Sequence, residues 1–133
     1  MALRYYWGME TLPATTELPP KEDRNIAVAA HLAPIAGYLI AIGQILLPLA
    51  ILVFGPDRPF VKEQAKEALN AQISFTLYWI AVVFLYVTII GIPLAILATI
   101  ALGIFVVATM ILAAVAVSDG KPYRYPLIFR LVR

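Results

Sequence analysis

The sequence predicts an all-α, polytopic membrane protein with four hydrophobic helical segments, the second short or re-entrant, plus one interfacial amphipathic helix. Three observations predict it. Of 133 residues, 62% are hydrophobic and only 14% are charged. No charge falls between residues 25 and 56 or between 68 and 118, runs of 32 and 51 residues. The 10 Lys and Arg collect in three short segments, with three in 1–25, three in 55–67 and four in 118–133. This segregation excludes a soluble enzyme, a nucleic-acid-binding domain and a disordered tail.

Each element follows from the chain in order. Residues 1–24 read as an extended, Pro-rich cytoplasmic tail that lacks the apolar stretch of a removable targeting peptide. The 32-residue run after it would be roughly 48 Å long as one helix, which demands a strong tilt, yet it is short for two full spans. Gly37, Gly43, Gln44 and Pro48 in its middle favour a break, giving a first helix over 24–42 and a short or re-entrant one over 44–54. Asp57 as a cap, Pro59 in a first turn and Lys62, Glu63, Lys66 and Glu67 on one side predict an amphipathic helix over 58–67. Its apolar residues Phe60, Val61, Ala65, Ala68 and Leu69 would face the membrane. The 51-residue run holds two spans, 68–90 and 93–117, divided at Ile90-Gly91-Ile92-Pro93. Residues 118–133 form a basic cytoplasmic tail.

With four segments, both termini and the 55–67 loop share one face, and all 10 basic residues are cytoplasmic, as the positive-inside bias prefers. A three-span chain would instead carry its amino end outside. The four-segment reading places a multi-pass protein in a prokaryotic cytoplasmic (inner) membrane with both termini cytoplasmic.

The most informative stretch is polar residues inside an apolar run. Glu63, Glu67, Asn70, Ser74 and Tyr78 are spaced four, three, four and four apart, so they share one helical face that descends from the interface into the bilayer. Carboxamides in lipid need partners, so Asn70 and the nearby Gln72 should bond another helix, a ligand or water. Helix-to-helix glue is the default. A polar path or substrate groove and a docking site for another subunit are the alternatives.

His31 is the single histidine, at the mouth of the first helix. One imidazole suffices as axial ligand to a haem iron or a chlorophyll magnesium, so it is a candidate tetrapyrrole ligand beside the default of a hydrogen-bonded interfacial histidine. Otherwise no cofactor is expected. With no cysteine, no metal-binding helix motif, no phosphate loop and no nucleophile elbow, metal sites and catalysis find no support, and the chain reads as a non-enzyme. Tyr5, Tyr6 and Trp7, and the tail residues Tyr123, Arg124, Tyr125 and Arg130, read as interfacial anchors that contact acidic lipid headgroups or a protein partner. Residues 1–24 are the candidate docking tail for other membrane protein subunits. Neither nucleic acid nor a small-molecule substrate is expected.

Several motifs together resemble a known family. His31-Leu32, Gly37-Tyr38-Leu39-Ile40, Gln44-Ile45-Leu46-Leu47-Pro48-Leu49, Pro59-Phe60-Val61, Lys66-Glu67-Ala68-Leu69-Asn70-Ala71-Gln72-Ile73-Ser74 and Tyr123-Arg124-Tyr125-Pro126-Leu127 occur in that order. The pattern, over about residues 25–130, resembles a prokaryotic family of small polytopic membrane proteins. That family is related to the twenty-kilodalton inner-envelope component of the chloroplast protein-import translocon, and is thus Tic-twenty-like. The resemblance implies a four-helix membrane fold with both ends on one side and supplies no common activity. Ala33-Pro34 departs from the small Ser and Gly residues usual there. Function is therefore expected to be that of an accessory or scaffolding subunit of a larger membrane complex. A protein-translocation or insertion component is the alternative, and a pigment- or haem-binding subunit through His31 the weaker one.

Overall fold

The computed structural model describes residues 17–39 and 42–133. It is all-α, and no strand occurs among the described residues. Four helices follow in order: α1 (Lys21–Gly37), α2 (Gly43–Phe54), α3 (Pro59–Val87) and α4 (Ile92–Ser118). Only α3 and α4 are long and apolar enough to cross a membrane. α2 is apolar apart from Gln44 but has 12 residues, and α1 has 17, beginning on the charged run Lys21–Arg24.

The segment over 58–67 runs straight into the span that follows it. Pro59 sits in the first turn of α3, where its missing N–H costs nothing, and the helix continues through 29 residues. Phe60, Val61, Ala65, Ala68 and Leu69, expected to face the membrane, are all buried within the protein. The reason is packing: α1, α2 and the carboxyl-terminal segment surround this half of α3 and leave its apolar side no lipid to face. α1 also ends at Gly37, five residues before the expected boundary, because the chain turns there into α2. The turn depends on two glycines. A Cβ at Gly37 would collide with the backbone of Gln44, and one at Gly43 would lie 2.9 Å from Gly37 Cα.

α1 and α2 make one antiparallel hairpin and α3 and α4 another. The ends that carry charge meet. Arg58, before α3, pairs with Asp23 at 2.6 Å and Glu22 at 3.5 Å in α1, and Arg24 donates to the Ser118 carbonyl at the end of α4 at 3.0 Å. Lys62 reaches across to cap the last carbonyls of α2, donating to Leu52 O at 2.6 Å and Gly55 O at 3.2 Å. The core forms between α3, α4 and the carboxyl-terminal segment around Ala71, Phe75, Val106, Met110, Ala113 and Tyr125.

Candidate functional site

The polar face of α3 is filled by the end of the same chain. After α4 the backbone turns at Gly120, whose φ of +80° favours glycine, and then enters the groove beside α3 as extended chain. It runs along the helix from Gln64 to Tyr78, reverses near Leu127, and returns toward the charged end. Gln64 Oε1 accepts from Tyr123 N–H at 3.2 Å. Glu67 Oε1 accepts from Tyr125 N–H at 2.7 Å. The Tyr78 hydroxyl donates to the Leu127 carbonyl at the turn. On the way back, Ser74 Oγ accepts from Phe129 N–H at 2.8 Å, and Asn70 closes two bonds with the backbone of Val132. An extended segment has no internal hydrogen bonds to satisfy its backbone, so a row of side-chain donors and acceptors on α3 supplies them.

Charge reinforces the row. Glu67 is 3% exposed, and Arg130 reaches it through Nη2 at 2.8 Å and Nε at 3.2 Å, a fork that suits a carboxylate. Arg124 Nη1 stands 3.8 Å from Oε2, the oxygen that also accepts from Arg130 Nε. Glu67 therefore holds two arginines and one backbone amide, all from the terminal segment.

His31 joins α1 to the same assembly. It is fully buried, with Nε2 2.9 Å from Gln64 Oε1 and Nδ1 3.0 Å from the Tyr125 hydroxyl. The backbone N–H of Tyr123 fixes which end of the Gln64 amide is the oxygen, so Nε2 must carry the proton and Nδ1 must accept. The Tyr125 hydroxyl is then the donor. Burial, with the neighbouring Glu67 carboxylate, pushes its pKa well above the usual value and keeps it protonated. Both ring nitrogens are thus engaged by protein groups. Tyr123 and Tyr125 pack edge to face with ring centres 5.0 Å apart, and Phe75 backs Tyr125 in the same manner at 5.8 Å.

The residues singled out by spacing thus divide. Glu67, Asn70 and Ser74 line one groove, joined by Tyr78. Gln72 points elsewhere, its Oε1 accepting from the Tyr38 hydroxyl at 2.9 Å where α1 ends. Glu63 lies on the outer side and pairs with Lys66 at 3.6 Å. Of the expected lipid or partner contacts, Tyr125 is buried and Arg130 is bound to Glu67, so these two turn inward, because the carboxyl-terminal segment folds against α3 instead of extending along the membrane surface. Tyr123 and Arg124 remain partly exposed. Lys21, Lys121 and Arg133 are the basic side chains presented outward. Tyr5, Tyr6 and Trp7 lie outside the described residues, as does most of the 1–24 tail. Gln64 escaped the spacing argument although it bonds both His31 and Tyr123. It lies three residues before Glu67, and the i, i+3 step would have found it where the i, i+4 step selected Glu63.

Among the described residues no group of three or more His, Cys, Asp or Glu is placed to hold a metal. An open, apolar notch of about 180 Å³ lies among Tyr38, Trp79, Gly103, Val106 and Val107, beyond the end of α1.

No curated protein and no solved structure matches the chain. Residues 22–132 match the model of a different family from the one suggested by the motifs, and this corrects the Tic-twenty-like resemblance. The motifs that carried that resemblance describe how short membrane helices pack and cap, which distinct families share. The matched stretch takes in all four helices and the terminal segment up to Val132, and on it the chain belongs to the MamF/MmsF family, the magnetosome magnetite crystal formation protein family.

Proposed function

We propose that the chain is a non-catalytic accessory subunit of the membrane in which magnetite crystals form, with its charged end and both termini on the cytoplasmic side. One observation carries the reading. Glu67, Asn70 and Ser74, which could have lined a water path, a substrate groove or a catalytic pocket, are engaged by the chain's own carboxyl-terminal segment. Glu67, the buried acid of that face, is held by Arg130, Arg124 and the Tyr125 amide and has no reactive role left to it. What remains outward is an apolar belt along α2, α3 and α4, with a rim of charge at one end. In this reading α3 and α4 cross the bilayer, while the α1–α2 hairpin enters from the charged side and turns back within it. The nine basic residues among those described lie toward that end and favour its cytoplasmic placement, and Lys21, Lys121 and Arg133 meet acidic headgroups there.

The test is complementation of a strain lacking the chain, scoring magnetite crystal number and size. Exposed charges at the rim (Glu22, Asp57 and Asp119) are neutralised one at a time. An accessory subunit keeps forming crystals with each variant. A single neutralisation that abolishes crystals while the protein stays in the membrane at its usual level would overturn the non-catalytic reading.

A further inference from the structure

The two ends of the molecule differ in width. α1 runs beside α3 in parallel, with His31 level with Gln64 and Tyr38 level with Gln72. The α1–α2 hairpin therefore turns back at about the level of residue 72, while α3 continues to Val87 and α4 begins at Ile92. The terminal segment reaches only slightly further, reversing beside Tyr78. At the level of Asn70 the section contains four helices and two passes of extended chain. At the level of Phe84, among the described residues, it contains two helices. With helices about 10 Å across, the section changes by roughly twofold along the molecule.

The step falls inside the apolar belt. Leu46, Leu47, Leu49, Val53 and Phe54 are exposed along the outer face of α2, so the wide half is also surrounded by hydrocarbon. The 12 residues of α2 rise about 18 Å, close to the ~15 Å of hydrocarbon in one leaflet. The narrow half exposes Val83, Phe84, Val87, Leu94 and Leu97 to the other leaflet. The notch among Tyr38, Trp79, Gly103, Val106 and Val107 marks the shoulder between them.

We propose that the chain is a single-leaflet wedge that concentrates on membrane curved so that the leaflet at its charged end is convex. This rests on the membrane placement given above. In a flat bilayer the wide half displaces more area from one leaflet than the narrow half does from the other, and the lipids must stretch or compress to match. Bending toward the charged side gives the two leaflets unequal areas in the same sense and removes that mismatch. With the charged end cytoplasmic, the favoured shape is a membrane bulging into the cytoplasm.

The chain has no cysteine, so single labels are clean. Asp57→Cys, at the charged end, is labelled with a fluorophore and reconstituted into giant vesicles of phosphatidylcholine and phosphatidylglycerol, from which tubes are pulled. An impermeant quencher reports which molecules have the charged end outside. Those molecules are expected to be enriched on the tube relative to a lipid dye, the more so as the tube narrows, and those of opposite orientation depleted. Equal density on tube and vesicle, or the same sign for both orientations, overturns the wedge. Ile90→Cys labelled in parallel should quench from the opposite side. If it shares a side with Asp57→Cys, the membrane placement fails and takes the wedge with it. If it does not and the densities are equal, the wedge alone fails.

Discussion

Asn70 and Val132 hold each other by two hydrogen bonds: Asn70 Nδ2 donates to the Val132 carbonyl at 2.9 Å, and the Val132 N–H donates to Asn70 Oδ1 at 2.8 Å. A side-chain amide here does what a neighbouring strand would do, satisfying both backbone groups of a residue that is second from the end of the chain. Asn70→Leu leaves both groups unpaired at a largely buried position, which costs about 1–3 kcal/mol. Lys62→Ala removes a cap on α2 carbonyls near water and costs less, about 1 kcal/mol. Thermal unfolding in detergent should show the larger fall for Asn70→Leu, and equal falls would count against the terminal segment as the partner of this face.

Glu67→Gln should be the most damaging isosteric change in the groove. It leaves Arg130 without a counter-charge beside a buried position, and breaking such pairs costs on the order of 3–5 kcal/mol. Arg130 is partly exposed, with 31% of its side chain accessible, which places the loss toward the lower end. Adding Arg130→Met to Glu67→Gln should recover part of it, since the Arg130 charge is no longer left facing a neutral amide. A double variant as unstable as the sum of the single ones would show that the two residues do not interact.

Leu127 has φ +56° at the tip of the terminal segment and is 79% exposed. A branched side chain in the left-handed region costs about 1 kcal/mol, and asparagine tolerates that region better. Leu127→Asn should therefore stabilise the protein by about 1 kcal/mol, while Leu127→Val lowers its stability. Melting curves of the two variants moving in the same direction would contradict the reversal at this residue.

His31 has both nitrogens engaged, by Gln64 and by Tyr125. Haemin added to the purified protein should give the same absorption spectrum with the wild-type chain and with His31→Ala. A band that depends on His31 would show that the imidazole leaves its partners to ligate iron. His31→Ala should nonetheless lower the melting temperature, because it strands the Tyr125 hydroxyl in a buried position, at a cost of about 1–3 kcal/mol.

Much of the architecture was legible because lipid imposes a simple code. The charge-free runs marked the apolar helices, and Ile90-Gly91-Ile92-Pro93 marked the turn between α3 and α4 to within a few residues. Gly37 and Gly43 announced the α1–α2 turn, although its reason, backbone contact too close for a Cβ, belongs to the packed structure. The polar face of α3 was legible in period and partly in membership, since helical spacing shows which residues share a side but not what lies opposite. What lies opposite was illegible. The terminal segment has no periodicity of its own, and its bonds to α3 run largely through backbone groups that every residue type possesses. Its basic residues imitate a lipid-contacting tail, and only the burial of Glu67 shows why Arg130 is needed inside. The family was illegible for a related reason, since short motifs of small, polar and aromatic residues record helix packing more than ancestry.

The carboxyl-terminal segment is folded into the polar face of α3, and hydrogen exchange of its amides reads that placement residue by residue. Tyr123, Tyr125, Phe129 and Val132 each donate an N–H to a side chain of α3. In the purified, detergent-solubilised protein these amides should exchange as slowly as those of the helices around them, and Asn70→Leu should release Val132 first. Exchange of residues 122–133 at the rate of an unstructured peptide in the wild-type chain would contradict the account.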